Sequence, residues 1–263
     1  MRSSMINAGL IATSALLLGA CSNSTAPSAL KRPISVSFTT AATAATFSRS
    51  PFDGASRSVS LVAGGNTLVI TKAQLVLARV ELEKVGAVCA DTAASGEDSN
   101  NHDDCAELQL APSVVDLPVD ATVKPTISFA IPQGTYSQLE ADIRAIRTGD
   151  AGAASVAFLK ANPDLANVSV RVEGTYNGTP FVYKGTARAE LERNFSPALT
   201  VDGSTVNLTV NVDLGSWFKS STGAVIDPST AGTGGSNASV VTDNIRRSLR
   251  AFRDNDHDGH EDR

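Results

Sequence analysis

The chain has 263 residues and is short of several things that common functional classes need. Aromatic residues make up only 5% of it, with one tryptophan and three tyrosines, so a platform for stacking sugars or bases is poorly supplied. Lysine and arginine number 22 against 27 aspartates and glutamates, a net charge of −5, whereas a nucleic-acid surface is basic. Apart from an apolar stretch at 8–18, no run approaches the roughly twenty residues of a spanning helix, which excludes a polytopic membrane protein. A G-x-S-x-G elbow, an H-E-x-x-H pair, a P-loop and a strand-borne G-x-G-x-x-G are all missing. The three histidines, His102, His257 and His260, fall in loop or tail segments, so a Ser-His-Asp arrangement has little to draw on. No catalytic residues are expected. A hydrolase acting on envelope glycans or peptides is the alternative, because the separation of paired carboxylates is three-dimensional and cannot be read from sequence.

What is present is a globular composition, 42% hydrophobic and 19% charged, behind a distinctive N-terminus. Arg2, the apolar run 8–18 and the small residues Gly19 and Ala20 have the layout of an export signal covering residues 1–20. Leu18-Gly19-Ala20-Cys21 resembles the lipobox of bacterial lipoproteins. That resemblance implies cleavage before Cys21, acylation of its thiol and of the new N-terminus, and anchoring to a membrane of the cell envelope. Two or more acyl chains anchor firmly where one does not. Ser22, rather than an aspartate, follows the cysteine, which the resemblance associates with the outer membrane. Residues 21–32, polar and small, read as a tether. With Cys21 lipidated, Cys89 and Cys105 remain as an even pair. In an oxidising envelope they are expected to form a disulfide, worth about 3 kcal/mol for a loop of this length, the alternative being two separate thiols.

From residue 33 to 218 the pattern is mostly period two, the signature of strands. Strands are expected at 34–38, 58–63 and 67–85, with an irregular stretch at 39–57 and a turn at Gly64-Gly65-Asn66. In the long strand Val76, Ala78, Val80 and Leu82 are expected on one face, with Arg79, Glu81 and Glu83 on the other. Segments 126–131 and 135–146 are expected to pair across Pro132-Gln133-Gly134, and 153–161 to be a short helix stopped by Asn162-Pro163. A hairpin at 168–185 turns on Asn177-Gly178, and strands follow at 186–195 and 205–213. The expected fold is mainly β: an antiparallel β-sandwich, transthyretin-like or Greek key, with a short C-terminal helix. Trp217-Phe218 is expected to be core. Residues 219–239, rich in Gly, Ser and Thr, read as a linker, and 240–263 as a helix followed by an acidic loop. The helical stripe is Val241, Ile245, Leu249 and Phe252, with Arg246, Arg247, Arg250 and Arg253 on the remaining faces.

Ile70-Thr71-Lys72-Ala73-Gln74-Leu75-Val76-Leu77, then Val115-Asp116-Leu117, then Ile131-Pro132-Gln133-Gly134-Thr135-Tyr136 resembles the order of motifs in a domain of unknown function found in bacterial and archaeal lipoproteins. The resemblance spans roughly residues 33–215 and implies a secreted β-sandwich with no assigned activity. The plain reading of its last motif is structural: Pro132 and Gly134 make a turn and Tyr136 packs beside it.

Acidic residues are unevenly placed. Residues 85–123 carry eight acids and no lysine or arginine, and the last ten residues carry five more. The second group has a pattern: Asp254-Asn255-Asp256-His257-Asp258-Gly259-His260-Glu261-Asp262 reads D-x-D-x-D-G-x-x-D. It resembles the calcium loops of EF-hands, dockerins and thrombospondin type 3 repeats. In such loops carboxylates at positions 1, 3 and 5 converge on one hard cation, the glycine at position 6 allows the sharp turn, and position 7 offers its carbonyl. Those roles fall on Asp254, Asp256, Asp258, Gly259 and His260, with Asp262 at position 9. The bidentate acid of an EF-hand would stand at position 12, residue 265, outside the given 263 residues. The loop is therefore expected to bind calcium weakly unless another segment, such as the acidic 89–105 stretch, supplies oxygens. A zinc or copper site built from the histidines is disfavoured, because His257 and His260 occupy non-ligating or carbonyl positions of the calcium pattern. The whole reads as a non-enzymatic, lipid-anchored envelope module with a structural calcium ion. Its expected partners are the membrane, through the lipid, and an unidentified envelope or surface protein or glycan, with no nucleic acid.

Overall fold

The structure is a computed structural model that describes residues 31–41, 45–49, 57–86, 106–120, 122–202, 206–254 and 256–262. Cys21, Cys89 and Cys105 lie outside the described residues, and with them the expected lipid attachment and disulfide. In chain order the strands before the first helix are β1 Lys31–Ala41, β2 Thr46–Arg49, β3 Arg57–Ala63, β4 Asn66–Lys84, β5 Ala106–Gln109, β6 Ser113–Asp116, β7 Lys124–Pro132 and β8 Gly134–Ile143. Then come α1 Ala153–Ala161, β9 Val170–Tyr176, β10 Thr179–Gly185, β11 Ala189–Val201, β12 Val206–Asp213, α2 Leu214–Trp217, α3 Ala238–Arg247 and β13 Leu249–Arg253.

The strands form two packed sheets. The smaller has the order β13-β12-β1-β7. The larger, nine strands among the described residues, runs β10-β9-β4-β3-β2, with β8, β5 and β6 also pairing β4 and β11 pairing β8. Pairings are antiparallel except β1 with β12, which is parallel and joins the first described strand to the last long one. Even-numbered residues of these two strands (Ile34, Val36, Phe38; Val206, Leu208, Val210, Val212) are 0–5% exposed. They meet Leu61, Leu75, Leu82, Leu139 and Ile143 of the larger sheet in one core. Burying side chains of this size stabilises by about 1.5–3 kcal/mol each. Trp217 and Phe218 are fully buried, as their place at a strand end suggests. Phe218 meets Tyr183 edge-on, with ring centroids 5.2 Å apart. Burial there pushes the Tyr183 phenol up to about 12.

Strand β4 departs from simple alternation. Leu68 and Ile70 point into the core, then Ala73, Leu75 and Leu77, then Val80 and Leu82. Parity changes twice because the pairing register slips between Ile70 and Lys72 against β9 and between Leu77 and Arg79 against β8. Each slip is a β-bulge, and one extra residue turns every following side chain to the other face. Val76 and Ala78 therefore do not share a face with Val80 and Leu82. They pack on the outer side, in a separate small cluster with Ile146, Phe158 of α1, Leu165 and Val168. Gly174 makes the first bulge fit: a Cβ there would collide with the Val69 carbonyl.

Four more differences follow from tertiary packing. Segments β7 and β8 do not pair; β7 joins β1 in the small sheet and β8 joins β4 and β11 in the large one. Pro132-Gln133-Gly134 is thus a corner between sheets, braced by the Tyr136 hydroxyl donating to the Pro132 carbonyl at 2.8 Å. The C-terminal helix ends at Arg247, and Leu249 and Phe252 belong to β13, which completes the small sheet beside β12. Unmet backbone groups along β12 offer a ladder of hydrogen bonds there, which outweighs helical spacing in so short a segment. Residues 219–239, which read as a linker, bury Val225, Ile226, Pro228 and Ala231. The irregular stretch 39–57 includes the end of β1 and all of β2.

Candidate metal centre

The odd-numbered residues of β1 and β12 form the outer face of the small sheet, and they are small and polar. Ser37 and Thr209 are fully buried and Asn207 is nearly so. Their hydrogen bonds satisfy one another: the hydroxyls of Ser35 and Ser37 donate to Asn207 Oδ1 at 2.7 and 2.8 Å. Asn207 Nδ2 in turn donates to Thr209 Oγ1 at 3.1 Å and to the Asp254 carbonyl at 2.7 Å. Burying neutral polar groups is tolerable when they are paired in this way.

What covers this face is the acidic C-terminal loop. The Asp254 N–H donates to the Asn207 carbonyl at 3.2 Å, carrying the β13 ladder one step further. Asp254 is 0% exposed. Its Oδ2 accepts from the Thr209 hydroxyl at 2.7 Å and from the Gly259 N–H at 3.1 Å. Its Oδ1 accepts from the Asp258 N–H at 3.0 Å. The far end of the loop returns to its start, where the Asp262 N–H donates to the Arg253 carbonyl at 2.9 Å. Arg193 of β11 pairs with Glu261, tying the loop to the larger sheet as well. Gly259 has a φ of +83°, and a Cβ there would press on Val123 Cγ2 at 3.1 Å, so this position needs glycine for conformation and for space.

The loop brings one carboxylate oxygen from each of Asp254, Asp256 and Asp262 within 4.8 Å of one another. These are positions 1, 3 and 9 of the sequence pattern. The Asp258 carboxylate, position 5, is not part of this group. Asp258 Oδ1 instead accepts from the His260 N–H at 2.7 Å. The donors are all hard oxygens, which suits calcium or magnesium better than a soft transition metal. Three carboxylates so close repel one another, and a cation between them would remove that repulsion. The sequence pattern finds the acids but not their support. Asn207, Thr209, Ser35 and Ser37 leave only an alternation of small polar residues in two strands far apart in the chain.

No protein-family model matches the chain, and no curated protein matches it. Among solved structures, MbnP from Methylosinus trichosporium is similar, with a TM-score of 0.41 and 13% sequence identity over 85% of this chain and 99% of that one.

Proposed function

We propose that this chain is a non-enzymatic envelope lipoprotein, a lipid-anchored β-sandwich whose C-terminal loop is locked onto the small sheet by one structural calcium ion. The observation that carries the ion is the position of Asp254: fully buried, fixed by the sheet, and held beside the carboxylates of Asp256 and Asp262. A frayed acidic tail would not place its first carboxylate beneath its own backbone. Calcium takes six to eight oxygens, so backbone carbonyls and water would complete the shell. The lipid anchor rests on the lipobox and Cys21, and outer-membrane sorting on Ser22. Among the described residues no helix is long and apolar enough to cross a membrane. The role of such a module is to present a surface to an envelope protein or glycan.

Thermal melting of the purified protein in calcium and in EDTA tests the ion. A ligand that binds only the folded state stabilises by about 2.7 kcal/mol at a hundred times its Kd. We expect melting to rise by several degrees in calcium. Asp256→Asn, at an exposed ligand, should abolish the rise without lowering the EDTA melt, since it removes one of three mutually repelling charges. Equal melts in calcium and EDTA would overturn the ion. Cys21→Ala tests the anchor: the wild-type protein should fractionate with membranes and partition into detergent, and the variant should be released. Membrane retention of the variant would overturn lipid anchoring.

A further inference from the structure

Beyond the loop, the same outer face of the small sheet opens into a cleft of about 510 Å³. Its walls come from the ends of β1 and β12, from α2 and α3, and from β13. The volume is within the range of small-molecule sites, roughly 300–1,000 Å³. The lining is mostly polar, including Asn211, Asp213, Asn244, Arg247, Ser248 and Arg250, so a lipid or an aromatic ligand would gain little there.

The floor is rigid. Ser248 Oγ accepts from the Trp217 indole N–H at 2.7 Å and donates to the Ile245 carbonyl at 2.7 Å. Asn244 Nδ2 donates to the carbonyls of Trp217 and Lys219 at 3.1 and 2.7 Å. These bonds leave the floor little freedom to reorganise when a ligand arrives.

The arginines here differ. Arg246 and Arg247 stand in the last turn of α3, where cations complement the helix dipole, and both lie near Asp243, at 3.8 and 3.7 Å. Arg250 has no such explanation. It stands on β13 directly opposite Asn211 of β12, and neither side chain has a hydrogen-bond or ion-pair partner among the described residues. A guanidinium and a carboxamide side by side present a forked donor set to an oxyanion. Asp213 lies two residues further along β12, roughly 7 Å by the rise of a strand. Its Oδ1 accepts from the Gly215 N–H at 3.1 Å, which fixes the carboxylate at the start of α2, where it suits hydroxyl groups and would repel a second anionic group.

We propose that this cleft binds a small hydroxyl-rich anion, a carboxylate or phosphate carried on a sugar-sized polyol. Arg250 and Asn211, assisted by Arg247, hold the anionic group, and Asp213 meets the hydroxyls. The proposal does not depend on the calcium loop, so it is tested in EDTA.

Calorimetric titration of the full protein with glucuronate, glucose 6-phosphate, glucose and inorganic phosphate decides it. Saturable binding of either sugar anion, with glucose and inorganic phosphate each about tenfold weaker or more, is the expected result, and the tighter of the two anions identifies the source. Arg250→Gln should weaken sugar-anion binding by about tenfold at an unchanged melting temperature, because the side chain is exposed and unpaired. Arg246→Gln, whose side chain is outside the cleft, should change it by less than about twofold. Glucose binding as tightly as the anions would overturn the proposal. So would an unchanged affinity in Arg250→Gln, inorganic phosphate matching the sugar phosphate, or no saturation by either sugar anion at tens of millimolar.

Discussion

The outer faces of the two sheets handle polarity in opposite ways. On the small sheet the groups are neutral (Ser35, Ser37, Asn207, Thr209), mutually hydrogen-bonded, and roofed by a loop that brings a single carboxylate, Asp254, down among them. On the large sheet the groups are charged, and the arginines stay partly in solvent above acids of which Glu81 and Asp142 are buried. Arg79 bridges Glu81 at 3.2 Å and Glu140 at 2.8 Å, and Arg144 pairs with Asp142 at 2.9 Å. Neutral groups that satisfy one another can be sealed from water at modest cost, whereas ion pairs lose more solvation than they regain when sealed. The face that can be sealed is the one on which the C-terminus docks. The charged face has a helix only over Val76 and Ala78, where its side chains are apolar.

That contrast makes unequal predictions. The largest effect belongs to Asp254→Ala. It leaves the Thr209 hydroxyl and the Gly259 N–H without their acceptor inside a closed layer, and takes from the Asp258 N–H the nearer of its two acceptors, Asp256 Oδ1 at 3.3 Å being the other. We expect a loss of about 3 kcal/mol in urea unfolding, measured in EDTA so that lost ion binding does not contribute. A loss below about 1 kcal/mol would mean that the loop lifts off readily and that the roofed layer is not a unit. Arg79→Met on the other face should cost less, about 1–2 kcal/mol, and the cost should shrink as salt is raised. A salt-independent loss as large as that of Asp254→Ala would erase the distinction between the faces.

The smallest effect is a pH dependence at Glu140. Burial holds its carboxyl above the ordinary range; Arg79 pulls it down, and Glu190 and Glu81 push it up. The folded protein therefore keeps this proton to higher pH than the unfolded chain does. The stability linked to that proton is present at low pH and is lost as pH rises through the folded value. Glutamine mimics the protonated acid. The melting temperature of Glu140→Gln minus that of the wild type should therefore grow from about pH 4 to pH 7. A difference that shrinks over that range would show the Arg79 attraction outweighing burial.

Much of the fold is legible in local chemistry. Period-two alternation marks β1, β3, β8 and β12, Asn177-Gly178 turns the β9–β10 hairpin with both residues at positive φ, and Asn162-Pro163 stops α1. The acids of the C-terminal loop are legible too, because a hard cation and a sharp turn demand particular residue types at fixed spacing. The supporting residues are not, since serine, threonine and asparagine alternate in many solvent-facing strands. The cleft is equally silent: Arg250 looks like one more cation on a helix until β13 sets it against Asn211.

The order of residues by itself determined where most of the long strands and their turns fall and which nine residues form the acidic loop, because those depend on neighbours a few positions away. Only the tertiary structure decided which face each strand buries, since a bulge at Thr71 or Ala78 resets parity without any local mark. It also decided that 249–253 is strand rather than helix, because β12 supplied a ladder. And it decided that the loop docks rather than frays, because the hydroxyl that receives Asp254 lies 45 residues away in the chain, and only the packed sheet brings the two together.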